Sequence, residues 1–307
     1  MLQRVLLSIV VFVVSATVAS AQDAPTPPKS LAPMLRVGDA MSYMWTEETF
    51  QRTAPIEKPE GGQVREGALT ADADFKVIAA DESGFTLDMK FTRIVVTAKA
   101  GDRAASYDSA NPGPEPEPVN GQKMERAFES SIKPLIDRTL TLKLSARGAI
   151  TECSGAADLM EMTKPTSRFA LLLMSVEALN AKFGGAFTTW SENDASLTWS
   201  STQQVPYVPG IIFEVGYQHT ATTADGLVKI EAEGTPTIKV PNPKRLGTRE
   251  LKTHNVRFSQ VWNPDSGRGE QASFTQHCEV LLKAPEEGAG KQAIVTNRLT
   301  GELRVRK

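Results

Sequence analysis

Cysteine, histidine and net charge are what this chain has least of. Its 307 residues include two cysteines and three histidines. His219, His254 and His277 lie far apart, with no cysteine or histidine at metal-ligand spacing, so no common zinc pattern is matched and no metal is expected. Basic and acidic residues number 34 and 36, a formal charge of −2, and the two signs are interspersed. That balance gives no electrostatic basis for binding nucleic acid or an anionic membrane surface. A glycine-rich phosphate loop, a G-x-S-x-G elbow and a calcium loop are also missing. No cofactor and no catalytic residue is therefore expected, and the chain reads as a non-enzyme.

The long apolar run that is present stands at the start. Arg4 supplies a positive flank, residues 5–14 are apolar except for Ser8, and Ala19-Ser20-Ala21 offers the small residues a signal peptidase requires. Residues 1–21 read as a signal peptide, cleaved between Ala21 and Gln22. The run is too short to span a bilayer comfortably, and no membrane span is expected in the mature chain. Cleavage removes Arg4, moves the formal charge to −3 and leaves 286 residues. That length suffices for one large domain with its own core. The expected address is the periplasm, the cell envelope or the outside of the cell. Residues 22–35, with four prolines, read as a flexible spacer.

Beyond the spacer the chain is dominated by strand patterns. Phe85, Leu87, Met89 and Phe91 alternate with Thr86, Asp88 and Lys90, the period of a half-buried antiparallel strand. The phase slips at Thr92 and Arg93 before Ile94 and Val96 resume it, which predicts a bulge there. Further strands are expected after Val37-Gly38-Asp39 through Tyr43 and Trp45, over 75–80, from Leu140 through Leu144, and over 150–153. Beyond residue 185 they recur over 197–205, 211–223, 227–240, 256–262 and 270–282. Asp81 to Gly84, Asp225-Gly226 and residues 263–267 carry turn chemistry. Residues 52–71, 101–121 and 241–252 read as loops. Helical spacing occurs over 123–132, and more clearly over 176–183, with Ser175 as N-cap and Gly184 placed to end the helix.

These strands can be laid out as two similar halves, 36–155 and 186–283, joined by the helical segment 156–185. The fold class is therefore mainly β and antiparallel. Two five-strand units would form either a curved sheet resembling a half-barrel or a sandwich, with a short helix between them. Residues 36–283 form this β-rich domain, and 284–307 a tail or edge hairpin. Cys153 and Cys278 each fall in the second arm of a hairpin. In an oxidising compartment they form either a disulfide or two separately buried thiols.

Ser130-x-x-Lys133, Ser191-x-Asn193 and Lys252-Thr253 occur in the order used by penicillin-recognising serine enzymes. Pro134 directly after Lys133, and His254 where a glycine is needed, deny them the required context. His219 and His277 fall in strands, where a solvent-facing histidine is the ordinary expectation. Tyr43, Trp45, Trp199, Tyr217 and Trp262 read as core rather than as a sugar- or lipid-binding surface.

Residues 94–97, Tyr107-Asp108-Ser109, the 140–155 hairpin ending in Cys-Ser-Gly, the Ser-capped helix with Glu177 and Leu179, and Trp199 succeed one another in a particular order. That order resembles a family of exported bacterial β-rich proteins, a domain of unknown function, over most of residues 34–283. The resemblance implies a β-rich envelope or secreted domain and no catalytic residue. The function expected is binding or interaction with an unidentified envelope protein. The alternative is a carrier holding a lipid or other hydrophobic ligand between the sheet and the helix, and a hydrolase is a distant third. A deep apolar cavity under the helix would favour the carrier.

Overall fold

The computed structural model describes residues 30–113, 123–156, 173–193, 196–208, 211–239, 248–283 and 292–306. The signal segment, with Ala21 and Gln22, lies outside the described residues, as does most of the 101–121 loop's proline tract.

The alternation read from sequence governs the first half. Strands β1 (Ala40–Pro55), β2 (Gln63–Asp81), β3 (Gly84–Ala100), β4 (Arg103–Asp108), β5 (Thr139–Ser145) and β6 (Ile150–Ser154) run antiparallel. In β3, Leu87, Met89 and Phe91 point into the core, and Ile94 and Val96 do so after the expected bulge. Asp72 pairs with Arg93 and Ala73 with Phe91, so Thr92 is the unpaired extra residue. Helix α1 (Lys123–Ile132) stands between β4 and β5.

The second half holds β7 (Thr198–Val208), β8 (Ile211–Ala224), β9 (Leu227–Lys239), β10 (Thr248–Asn263), β11 (Arg268–Lys283) and β12 (Gln292–Val305). Asp225 and Gly226 both take positive φ, 52° and 79°, which closes the β8–β9 hairpin with the twist its strands need. All strands but β4 join in the order β6-β5-β3-β2-β1-β12-β11-β10-β9-β8-β7, while β4 pairs with β3 alone. The chain thus runs from the middle of the sheet to one edge, crosses by a helix, and returns from the far edge to the middle. One curved, unclosed sheet results, which selects the half-barrel over the sandwich.

Helix α2 (Val176–Phe187) fills the concave side. Ser175 Oγ accepts a hydrogen bond from Ala178 N at 3.1 Å, the expected cap. Phe183 and Phe187 pack edge-on to Phe75, with ring centroids 5.4 and 5.1 Å apart, and Phe187 lies 6.0 Å from Tyr43. The helix touches β6 and β7, on opposite edges, as well as β11 and β12. Asn180 serves edge strand β6 as a surrogate neighbour, accepting from Ile150 N at 3.0 Å and donating to Ile150 O at 2.7 Å.

Several boundaries differ from expectation. Residues 52–71 are not one loop, because β1 and β2 extend into them and pair through Thr53 and Gln63. Helix α2 does not stop at Gly184. Part of the expected spacer is docked: Leu31 and Leu35 are buried, and Leu31 O accepts from Thr189 Oγ1. The expected tail or edge hairpin over 284–307 holds instead, among its described residues, the continuous strand β12 (Gln292–Val305), paired with β1 on one side and β11 on the other.

Candidate functional site

Between α2 and the inner face of the sheet lies a cavity of about 420 Å³. Two more open clefts, about 730 and 940 Å³, accompany it, and the former shares Thr49, Gly67 and Thr97 with its rim. This partly open cavity has the largely apolar wall a ligand site needs. Leu69 and Val96 from β2 and β3, Phe128 from α1, and Leu173 and Ala178 at the helix form one side. Trp190 and Phe258 close another, edge to face at 5.1 Å and 86°. Trp190 holds φ at 55°, a region a bulky residue rarely adopts, and its N–H donates to Thr188 Oγ1 at 2.9 Å.

Three polar features enter this space. From Met41 to Trp45 the odd-numbered residues of β1 are buried, and Glu47 follows Met41, Tyr43 and Trp45 into the interior. There it pairs with Lys182 of α2, whose side chain is 10 % exposed against 17 % for Glu47. Trp45 Nε1 donates to the same carboxylate at 3.1 Å, and the Lys182 ammonium sits 5.5 Å from the Trp45 ring centroid. The indole reaches this position because it lies over Gly301, where an added Cβ would come within 2.2 Å of the ring. Gln276 of β11 is 1 % exposed; its Nε2 donates to Cys278 Sγ at 3.5 Å, and its Oε1 has no partner among the described residues. Thr49, Gln51, Thr97, Gln203 and Asn297 add further polar lining, and the exposed Arg65 and Glu66 of β2 bring one charge of each sign to it.

The residues singled out from sequence fall elsewhere or take other roles. Cys153 and Cys278 are both free, on β6 and β11, with five strands of the sheet order between them. Burial pushes the Cys153 thiol up to about 11 and raises Cys278 as well, so both stay protonated at neutral pH. Ser130, Ser191 and Lys252 are each used locally, by Ala127 O, Asn193 O and Glu250 respectively.

His219 is not solvent-facing, as a strand histidine was expected to be. It is 2 % exposed, stacked on Trp199 at 5.0 Å and 7°, and its Nε2 lies 2.7 Å from Ser201 Oγ. Its inward position comes from the parity of β8, which also buries Tyr217 and Ala221. Burial lowers its pKa to about 4. The Nδ1 atom has no partner among the described residues, so this Ser–His pair lacks the third group that orients a catalytic imidazole. His277, half-buried, likewise leaves Nε2 without a partner there, while His254 is exposed. Of the aromatic set, Tyr43, Trp45, Tyr217 and Trp262 are core and Trp199 is half-buried. Trp45 belongs to the core and to the cavity wall alike.

The sequence reading missed Glu47, Lys182, Trp190 and Gln276. A signal for two of them was present, since Glu47 and Gln276 are polar residues on the buried parity of otherwise apolar strands.

Comparison with protein families and with curated proteins gives no match. Among solved structures, the chain is similar to lipovitellin from a structure describing its lipid–protein interactions, with a TM-score of 0.45 and 10 % identity over 89 % of this chain. The chain spans about a quarter of that lipovitellin chain, 26 %. A second is DynF from the dynemicin biosynthesis pathway of Micromonospora chersina, at TM-score 0.22 and 7 % identity over 91 % of this chain and 89 % of that one. A third is an outer membrane channel from Pseudomonas putida F1, at TM-score 0.19 and 8 % identity over 92 % of this chain and 100 % of that one.

Proposed function

We propose that this protein binds and carries a small hydrophobic molecule, held between the curved sheet and helix α2, in the exported compartment that its N-terminal segment addresses. The observation that carries this reading is the partly open, largely apolar-walled cavity of about 420 Å³ under helix α2, containing a few placed polar groups. It reverses the order expected from sequence, which put a plain interaction module first. The outer faces of the strands favour water outside and ligand inside. Lys90, Lys229, Glu231 and Glu233 are exposed, where a lipid-facing barrel wall would need apolar residues.

The test fills the cavity without disturbing the core. Ala181 is an exposed helical residue at the cavity wall. Ala181→Trp is expected to weaken binding of the neutral dye Nile red at least about tenfold, worth roughly 1.4 kcal/mol, while leaving the melting temperature within a few degrees. Unchanged dye binding by this variant overturns the cavity as the site. Native mass spectrometry of the exported protein supplies the second check, an added mass that is lost on denaturation and reduced in the variant.

A further inference from the structure

We propose that the ligand's polar end is uncharged and hydroxyl-bearing, an acylglycerol-like amphiphile, and that the Glu47–Lys182 pair with Gln276 selects it over fatty acids and fatty amines. This inference rests on the cavity reading above and names the chemical class that the cavity takes.

The arrangement of the polar groups comes from the strand register. Thr49 of β1 stands opposite Leu299 of β12, which stands opposite Gln276 of β11. One inward position further along, Gln51 stands opposite Asn297, and one position back Glu47 stands opposite Gly301. Thr49 and Gln51 of β1, Asn297 of β12 and Gln276 of β11 thus bring hydroxyl and amide groups from three neighbouring strands to the cavity, with Leu299 among them. The elements β2, β3, α1 and α2 supply Leu69, Val96, Phe128 and Ala178, with Leu173 just ahead of α2 and Arg65 and Glu66 of β2 also in the lining. An amphiphile laid across this space has its polar end on the hydroxyl and amide groups and its chain against Leu69, Val96 and Phe128.

The two charges buried beside these groups, Glu47 and Lys182, neutralise each other. A carboxylate that approaches Lys182 also approaches Glu47, and an ammonium that approaches Glu47 also approaches Lys182. For either ion the attraction and repulsion largely cancel, while the loss of hydration remains in full. An uncharged head loses less on leaving water and still finds partners.

Gln276 adds the second discrimination. Its Oε1 has no partner among the described residues, and its Nε2 is spent on the weak acceptor Cys278 Sγ. Turning the amide over exchanges the two atoms and leaves an N–H2 unpaired instead. A hydroxyl both donates and accepts, so it completes the amide in either orientation. In the orientation shown, an ammonium can donate to the free amide oxygen, whereas a carboxylate, which only accepts, cannot. Against laurate, an amide oxygen left incomplete costs about 1–3 kcal/mol, about a tenfold or greater preference for a head that donates; against dodecylammonium the discrimination rests on the Glu47–Lys182 pair.

The experiment is displacement of Nile red from the whole exported protein by three ligands of equal chain length, monolauroylglycerol, laurate and dodecylammonium, each below its aggregation threshold. Monolauroylglycerol is expected to displace the dye at a concentration at least about tenfold lower than either ion. In Glu47→Gln, Lys182 loses its counter-charge and laurate is expected to gain about tenfold, narrowing or inverting the preference. Gln276→Leu is expected to weaken monolauroylglycerol several-fold and leave laurate unchanged, and it decides the matter if Glu47→Gln does not fold. Laurate or dodecylammonium matching monolauroylglycerol in the wild type overturns the inference and leaves the carrier reading standing. Dye that binds in the Ala181→Trp variant as in the wild type, or that none of the three displaces, removes the carrier reading itself.

Discussion

Among the described residues, one buried imidazole is expected to weaken the fold in mild acid. His219 is packed by Trp199, Tyr217 and Phe258, with Ser201 Oγ as its polar neighbour, and burial holds its pKa at about 4 against an ordinary 6.5. The folded pKa lies below the unfolded one, so the stabilising form is the neutral ring. Above pH 6.5 both states are neutral and the full stability is present. As pH falls from 6.5 towards 4, the unfolded chain takes up a proton that the folded chain does not. The loss is about 2 kcal/mol at pH 5 and about 3 kcal/mol below pH 4. Asp108, held at about 2 chiefly by its hydrogen bond from Arg93, weakens the fold only at lower pH and does not share this window. Urea midpoints at about pH 7 and about pH 5 measure the difference, and His219→Phe is expected to flatten it. An unchanged pH slope in that variant would assign the effect to other groups. At this scale the sequence was half legible. Strand parity placed Leu87, Met89, Phe91, Ile94 and Val96 correctly, bulge included. The same parity applied to β8 puts His219 inside, and applied to β1 and β11 does the same for Glu47 and Gln276. Residue type, the habit of reading polar side chains as outward, overrode a periodicity that was already visible.

At the scale of the element, helix α2 is positioned by what its neighbours leave out. Gly184 and Gly185 lie inside the helix, because the space there belongs to others. A Cβ on Gly185 would stand 2.7 Å from that of Ala272, and one on Gly184 3.1 Å from the Trp190 ring. Across from them, a Cβ on Gly269 of β11 would stand 1.9 Å from Gly185 O, a backbone atom with no freedom to yield. Gln260 Nε2 then donates to Gly185 O at 2.7 Å and Thr188 O at 3.0 Å, satisfying carbonyls at the helix end. Gly184 looked like a stop signal from sequence because glycine ends helices for conformational reasons; here it permits close approach, a tertiary cause that no local pattern carries. Gly269→Ala is expected to destabilise the protein by about 1–3 kcal/mol through overpacking and to weaken Nile red binding, since the helix is a cavity wall. Gly216→Ala in β8, where a Cβ meets nothing within 4 Å, is the matched control and is expected to gain about 0.5 kcal/mol. Urea denaturation of the pair separates close approach from the general effect of adding a methyl group. Equal shifts in both would refute the docking role of Gly269.

For the whole molecule, the decisive element is the one that sequence reading demoted. From sequence, residues 284–307 read as a tail or edge hairpin. Gly301 is there because the Trp45 indole covers it, and the strand passes through without turning. By accepting the Trp45 ring, Gly301 also lets Trp45 hold Glu47 against Lys182. With β12 in place, the series β1 to β6 and the series β7 to β11 join into a single sheet, and Thr49, Leu299 and Gln276 come into one row. Without it, β1 and β11 would each present a long strand edge with unpaired backbone groups, and the cavity would lose the strand that unites its polar side. Ending the chain at residue 291 should therefore abolish the cooperative unfolding transition and send the product to the insoluble fraction, rather than lower the melting temperature by a few degrees. A strand at the periphery would give the milder result: a soluble protein with nearly unchanged stability, retaining dye binding. The two outcomes are far apart in a sedimentation assay and a single melting curve. A soluble, dye-binding truncation would mean that the halves meet without β12, and the polar lining would then need a different origin.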